Sequence, residues 1–136
     1  MISAQAPYQV QFFDLDPLNV MWHGNYPRLL ELGRCALMEK IGYSYREMAQ
    51  SGHLWPIVDL QIKYVRPLRL AMTVTIEAVL IEFENQLRIR YRVTNAESGE
   101  VLTKAETRQV AVRANSGEMC LESPEILTKS VRSLLS

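Results

Sequence analysis

The chain has 136 residues, 48% of them hydrophobic and 22% charged, enough apolar content for a core and the length of one ordinary domain, residues 1–136. Fifteen Lys and Arg balance fifteen Asp and Glu, which excludes a global attraction to nucleic acid or to an anionic membrane surface. Charge interrupts every apolar run well short of a membrane span, and Met1-Ile2-Ser3-Ala4-Gln5 has neither the basic head nor the apolar stretch of a signal peptide.

In chain order, Tyr8 to Phe13 alternates at first and predicts a short strand. Asp14-Leu15-Asp16-Pro17-Leu18-Asn19 follows as a turn, in which Pro17 withholds a backbone donor and Asn19 tolerates left-handed geometry. From Asn25 to Ile41 the pattern is helical: Leu30, Leu37 and Ile41 recur on one face, joined by Leu29, Leu32 and Ala36. Asn25 can cap this helix, Pro27 suits its first turn and Gly42 its end. Gly33 costs ~1 kcal/mol against Ala in mid-helix and predicts close approach to another backbone. Tyr45 to Ser51 reads as a short second helix.

After Gly52 the apolar period changes to two. Leu60, Ile62 and Tyr64 alternate up to the Arg66-Pro67 break; Met72 to Leu80 and Leu87 to Val93 form two further strands. Val101 to Thr107 forms another, ending in Val110-Ala111-Val112, with turns at Glu84-Asn85 and Ser98-Gly99. Ser123-Pro124-Glu125 opens a closing helix that runs through Leu135. One principal helix and one antiparallel sheet make an α+β layout with an uncovered edge, which predicts self-association.

The chemistry concentrates between Asp14 and Tyr26. Asp16 leaves a strand into a constrained turn, and seven positions later His23-Gly24 opens the helix. Unsatisfied N–H groups there can hold a developing oxyanion, and Asp16 can act on a bound carbonyl as nucleophile or as base toward water. The same spacing also fits a purely structural role, with Asp14 and Asp16 making side-chain turns.

Asp16-Pro17 with His23-Gly24-Asn25-Tyr26, followed by Glu31 and Arg34, resembles the hotdog-fold thioesterases. The nearer branch is the 4-hydroxybenzoyl-CoA thioesterase and YbgC/FadM-like acyl-CoA thioesterase group. Trp55-Pro56-Ile57-Val58 and Tyr64-Val65-Arg66-Pro67 look like that family's second-strand signature, so the resemblance spans about Tyr8 to Val112. It implies an antiparallel sheet wrapped around one long central helix, assembled as a homodimer or homotetramer. It also implies hydrolysis of an acyl-CoA or acyl-carrier-protein thioester, with Asp16 on the family's catalytic aspartate and a carbonyl-polarising amide near His23. The His23 side chain either meets the substrate or braces the loop. Asn19 stands where many relatives have glycine, and asparagine is the next-best residue for a left-handed backbone.

Around this centre, Trp22, Asn25, Tyr26, Trp55, Pro56, Ile57 and Val58 are candidate substrate-binding residues, the aromatics serving equally well as core or interface. Lys63, Arg66, Arg88 and Arg90 are candidates for the phosphates of CoA, with Arg69 and Arg92 beside them; a solvated polar face accounts for them too. Neither basic set comes with a stacking platform for nucleic acid. Glu31 can reach the cleft or pair with Arg28 or Arg34. His53 has no companion ligand, Cys35 reads as a small core residue, and Cys35 and Cys120 lack metal spacing, so neither a metal nor another cofactor is expected. The other functions open to this layout are a non-catalytic acyl-CoA or carrier-protein binding subunit and a hotdog-fold hydratase or dehydratase.

Overall fold

A computed structural model describes residues 1–135. The elements are β1 (Ser3–Gln9), α1 (Tyr26–Ile41), α2 (Tyr45–Gln50), β2 (His53–Leu54), β3 (Ile57–Tyr64), β4 (Thr73–Glu82), β5 (Leu87–Asn95), β6 (Val101–Gln109), β7 (Val112–Arg113) and α3 (Glu125–Leu135). Five strands form one antiparallel sheet in the order β1-β4-β5-β6-β3, while β2 and β7 pair separately. This is the hotdog arrangement, a sheet curled over one long helix. Among the described residues, no helix is long and apolar enough to cross a membrane.

The sheet has two chemically distinct faces because its strands alternate. Val74, Ile76 and Ala78 of β4 and Leu87, Ile89, Tyr91 and Val93 of β5 are buried on the side of α1. Leu29, Leu30, Leu37 and Ile41 of α1 meet them. Gly33 sits over β4, where a Cβ would come within 2.7 Å of Ile76 Cγ2. The glycine thus admits a side chain of the sheet, not the backbone expected from sequence. Gly42 ends α1 in left-handed geometry, and its N–H donates to Met38 and Glu39 carbonyls.

The first strand departs from expectation. It runs Ser3–Gln9, and Phe12–Asp14 is a 3-10 turn with Phe12 and Phe13 exposed. Ser3-Ala4-Gln5-Ala6-Pro7 carries little β propensity, so its strand state comes from main-chain pairing along the edge of β4. At the opposite edge, β3 exposes Ile57, Val58, Leu60 and Tyr64, and its outer rim has no strand beside it among the described residues.

Candidate active site

The site begins where β1 ends. The 3-10 turn buries Asp14, 3% exposed, and its Oδ2 accepts the Tyr8 hydroxyl at 2.7 Å and the Gln11 N–H at 2.8 Å. Burial, then the Asp14 bond, holds the Tyr8 phenol above its ordinary pKa. The Asp14 carbonyl accepts the Trp22 N–H and the Asn25 side-chain amide, both at 2.9 Å. One residue therefore ties the end of β1 to the start of the long helix.

Between those two anchors the chain makes a tight loop closed by a Leu15–Met21 bridge. The Asp16 N–H donates to Val20 O, and the Asn19 N–H donates to Asp16 O, each at 2.9 Å. Asn19 adopts φ 62°, the left-handed conformation that its side chain tolerates. Asp16 is half-buried, and its Oδ1 accepts the Leu18 N–H at 2.8 Å. Among the described residues, Asp16 Oδ2 accepts no hydrogen bond.

Met21 N–H donates to Leu68 O at 2.8 Å, fixing the far end of the loop, and a 3-10 turn over His23–Asn25 leads into α1. His23 and Gly24 are exposed at this helix start, where the Asn25 N–H donates to Trp22 O at 2.9 Å and the Tyr26 N–H to His23 O. The Tyr64 hydroxyl donates to His23 O at 3.3 Å, and the Tyr26 ring lies edge-on to Tyr64 with centroids 4.7 Å apart. Burial is the main cause that raises the Tyr26 phenol pKa, and the negative charge of Asp16 adds to it. A carboxylate oxygen free of hydrogen bonds thus lies on the loop that leads into the positive end of a helix. That arrangement suits attack on a carbonyl.

The neighbouring residues sort into distinct roles. Trp22 is 49% exposed and its ring lies over Gly24, where a Cβ would come within 2.5 Å, so position 24 has no room for a side chain. Asn25 does not cap α1 with its side chain, contrary to expectation; the amide is already committed to the Asp14 carbonyl. Tyr26 is buried beneath the site. Trp55 packs edge-on to Tyr43 in the core, its N–H donating to the Tyr43 hydroxyl at 3.1 Å, while Pro56, Ile57 and Val58 are exposed where β3 begins. Trp55 to Val58 therefore lie toward the far end of β3 from Tyr64, which touches the helix start.

Glu31 is paired. Its Oε2 accepts Arg34 Nη2 and the Tyr45 hydroxyl, each at 2.5 Å, and Arg34 also bonds the Tyr45 hydroxyl. Burial, then the bond to Glu31, pushes the Tyr45 phenol up to about 12. The positive charge of Arg34 acts on the Tyr91 phenol of β5.

The basic residues lie apart from Asp16. Arg88 and Arg90 alternate with the buried residues of β5 and lie on the outer face of the sheet, with Lys63 opposite Lys104 on that same face. Arg88 pairs with Glu106 at 2.9 Å, Arg90 approaches the same carboxylate at 3.8 Å, and Arg66 pairs with Glu100 at 3.6 Å. One chain does not bring Lys63, Arg88 or Arg90 to Asp16, because the sheet lies between them. The signal was present in the sequence: Leu87, Ile89, Tyr91 and Val93 mark the helix side. The contacts of Asp14 with Tyr8 and Asn25, and of Tyr64 with His23 O, were not foreseen, because nothing in the local spacing marks them.

The thioesterase-like superfamily model matches residues 10–130, and the chain belongs to that family. Its reaction class is thioester hydrolysis. YneP of Bacillus subtilis, a protein named for a proposed acyl-CoA thioesterase activity, is 28% identical over 117 residues, covering 85% of this chain and 84% of that protein. A DHNA-CoA thioesterase from Staphylococcus aureus superposes with a TM-score of 0.82 at 23% identity, covering 89% of this chain and 81% of its own. A 4-hydroxybenzoyl-CoA thioesterase variant in complex with 4-hydroxybenzoyl-CoA gives a TM-score of 0.83 at 20% identity, with 96% and 98% covered.

The different settings of the two aspartates predict different costs. Asp14→Asn disturbs a buried carboxylate with two donors and should lower the unfolding free energy by about 1–3 kcal/mol. Asp16→Asn, which disturbs one local turn bond, should change it by less than about 1 kcal/mol. Urea unfolding of both variants measures the contrast.

Proposed function

We propose that the thioester bound here is an acyl-CoA or the matching carrier-protein thioester, and that Asp16 carries the reaction. The carbonyl oxygen rests on backbone N–H groups near His23, where the helix dipole and the unsatisfied donors stabilise the negative charge that develops. Asp16 Oδ2 attacks the carbonyl carbon or removes a proton from attacking water. The observation that supports this reading is the pairing of a free Asp16 oxygen with an open helix start. The His23 side chain is secondary in this account, because the donor is main chain. Glu31 is a weaker candidate for the base, since its Oε2 already accepts Arg34 and Tyr45.

The acting species is proposed to be a homodimer, or a homotetramer built from two such dimers. Two β3 edges pairing antiparallel would extend the sheet across both chains and cover Ile57, Val58, Leu60 and Tyr64. Light scattering should then show a particle at least twice 15.6 kDa; a 15.6 kDa particle at micromolar concentration would contradict it.

Thiol-release kinetics test the catalytic assignment. Asp16→Asn should lower kcat by roughly 10²–10⁴ with little change in KM. If Asp16→Asn keeps normal kcat and Glu31→Gln is inactive, the base lies on the helix instead. Saturable acyl-CoA binding by the wild type without thiol release would identify a binding subunit.

A further inference from the structure

Two N–H groups just ahead of α1, those of His23 and Gly24, donate to no acceptor among the described residues. They differ at the carbonyl of the same peptide. Trp22 O, which shares a peptide with the His23 N–H, accepts the Asn25 N–H at 2.9 Å. His23 O, which shares a peptide with the Gly24 N–H, accepts two donors, the Tyr26 N–H and, at 3.3 Å, the Tyr64 hydroxyl. The sequence explains the second one. An α-helix would supply His23 O with the N–H of residue 27, but Pro27 has none, so a lone pair is left for a donor from outside the helix. Tyr64 of β3 fills it.

This bond has a directional consequence. The His23–Gly24 peptide is trans, so its C=O and N–H point opposite ways. Holding His23 O toward Tyr64 therefore turns the Gly24 N–H away from β3 and resists rotation of the peptide plane. Polarisation acts in the same sense: donors to the carbonyl make the N–H of the same peptide a stronger donor. The coupling is reciprocal. Negative charge arriving at the Gly24 N–H strengthens His23 O as an acceptor, and the Tyr64 bond, long for an O–H···O contact, has room to tighten as that charge develops. Tyr64 is itself held firmly. Its main chain pairs with Thr103 of β6, the Val65 and Arg66 N–H groups both donate to Leu102 O, and its ring meets Tyr26 edge-on. All these contacts lie within one chain, so they do not depend on what covers the rim of β3.

We infer that Tyr64 is a positioning residue for thioester hydrolysis: its hydroxyl holds the His23–Gly24 peptide so that the Gly24 N–H donates to the thioester carbonyl oxygen. The inference rests on the proposed binding of that carbonyl at the start of α1. The oxygen carries most charge in the transition state, so the contribution of Tyr64 belongs to kcat and not to KM.

The chain contains a single His-Gly pair, so isotopic labelling of histidine carbonyl carbon and glycine nitrogen together marks the His23–Gly24 peptide alone in a carbonyl-correlated NMR spectrum. Its carbonyl signal reads the Tyr64 bond, and its amide proton reads the substrate. A bound non-hydrolysable acyl-CoA ketone should move the Gly24 amide proton downfield. Tyr64→Phe, which keeps a ring against Tyr26, should move the His23 carbonyl signal upfield and diminish the downfield shift caused by the ketone. Thiol release by this variant should fall about fivefold in kcat with KM unchanged, the worth of one hydrogen bond. If the ketone moves the Gly24 amide equally in both proteins and kcat is unchanged, the role of Tyr64 is overturned while the carbonyl stays at the helix start. A loss of kcat with both signals unmoved by the substitution marks a merely structural effect and overturns it too. If the ketone binds the wild type without moving the Gly24 amide, the donor assignment falls, and the Asp16→Asn kinetics decide separately whether the catalytic reading stands.

Discussion

The rest of the site depends on how Asp14 is held. Its carboxylate is buried against Tyr8 and Gln11, so the turn that ends β1 is pinned from within. Its carbonyl then accepts from both Trp22 and Asn25, pinning the start of α1 to the same point. The loop bearing Asp16 is suspended between these attachments, with Asn19 supplying its left-handed corner. Spacing between a carboxylate and an oxyanion site must be held to a fraction of an ångström for chemistry to proceed. Here the buried Asp14 carboxylate and the two donors to its carbonyl hold both ends of the Asp16 loop. This is also why Asp14 is a poor neutral comparison for Asp16, despite lying two positions away.

The curled sheet divides the molecule's electrostatics as well as its packing. Apolar strand positions face α1 and enclose the core, whereas the arginines of β5 and Lys63 and Lys104 face away, partly matched by Glu106. On α1, Glu31 and Arg34 neutralise one another locally. Arg34 is buried but paired with Glu31 and Tyr45, an arrangement that avoids the large cost of an isolated buried charge. One of its nitrogens, Nη1, is still buried without a partner.

Much of the fold was legible because its periods are strong. The spacing of Leu30, Leu37 and Ile41, closed by Gly42, marks α1 to within a residue. Strict alternation marks β4, β5 and the body of β6. β1 was misplaced because an edge strand of Ser, Ala, Gln and Pro is held by main-chain bonds that leave no side-chain pattern. Asp16 and the helix start were singled out through a motif, but the Asp14 clamp between them was not foreseen. A buried aspartate bonded to a tyrosine six residues earlier has no signature distinct from a turn aspartate. Likewise, nothing in the spelling of Asn25 separates a helix cap from an amide that reaches a loop carbonyl.

The central claim is that the thioester carbonyl sits between Asp16 and the start of α1. A structure of the protein bound to a non-hydrolysable acyl-CoA ketone, with the carbonyl retained in place of the thioester, tests it most directly. The account predicts the ketone oxygen about 3 Å from a backbone N–H near His23, with the carbonyl carbon facing Asp16 Oδ2. A ketone oxygen pointing into solvent, or seated on the outer face beside Arg88 and Arg90, would contradict it.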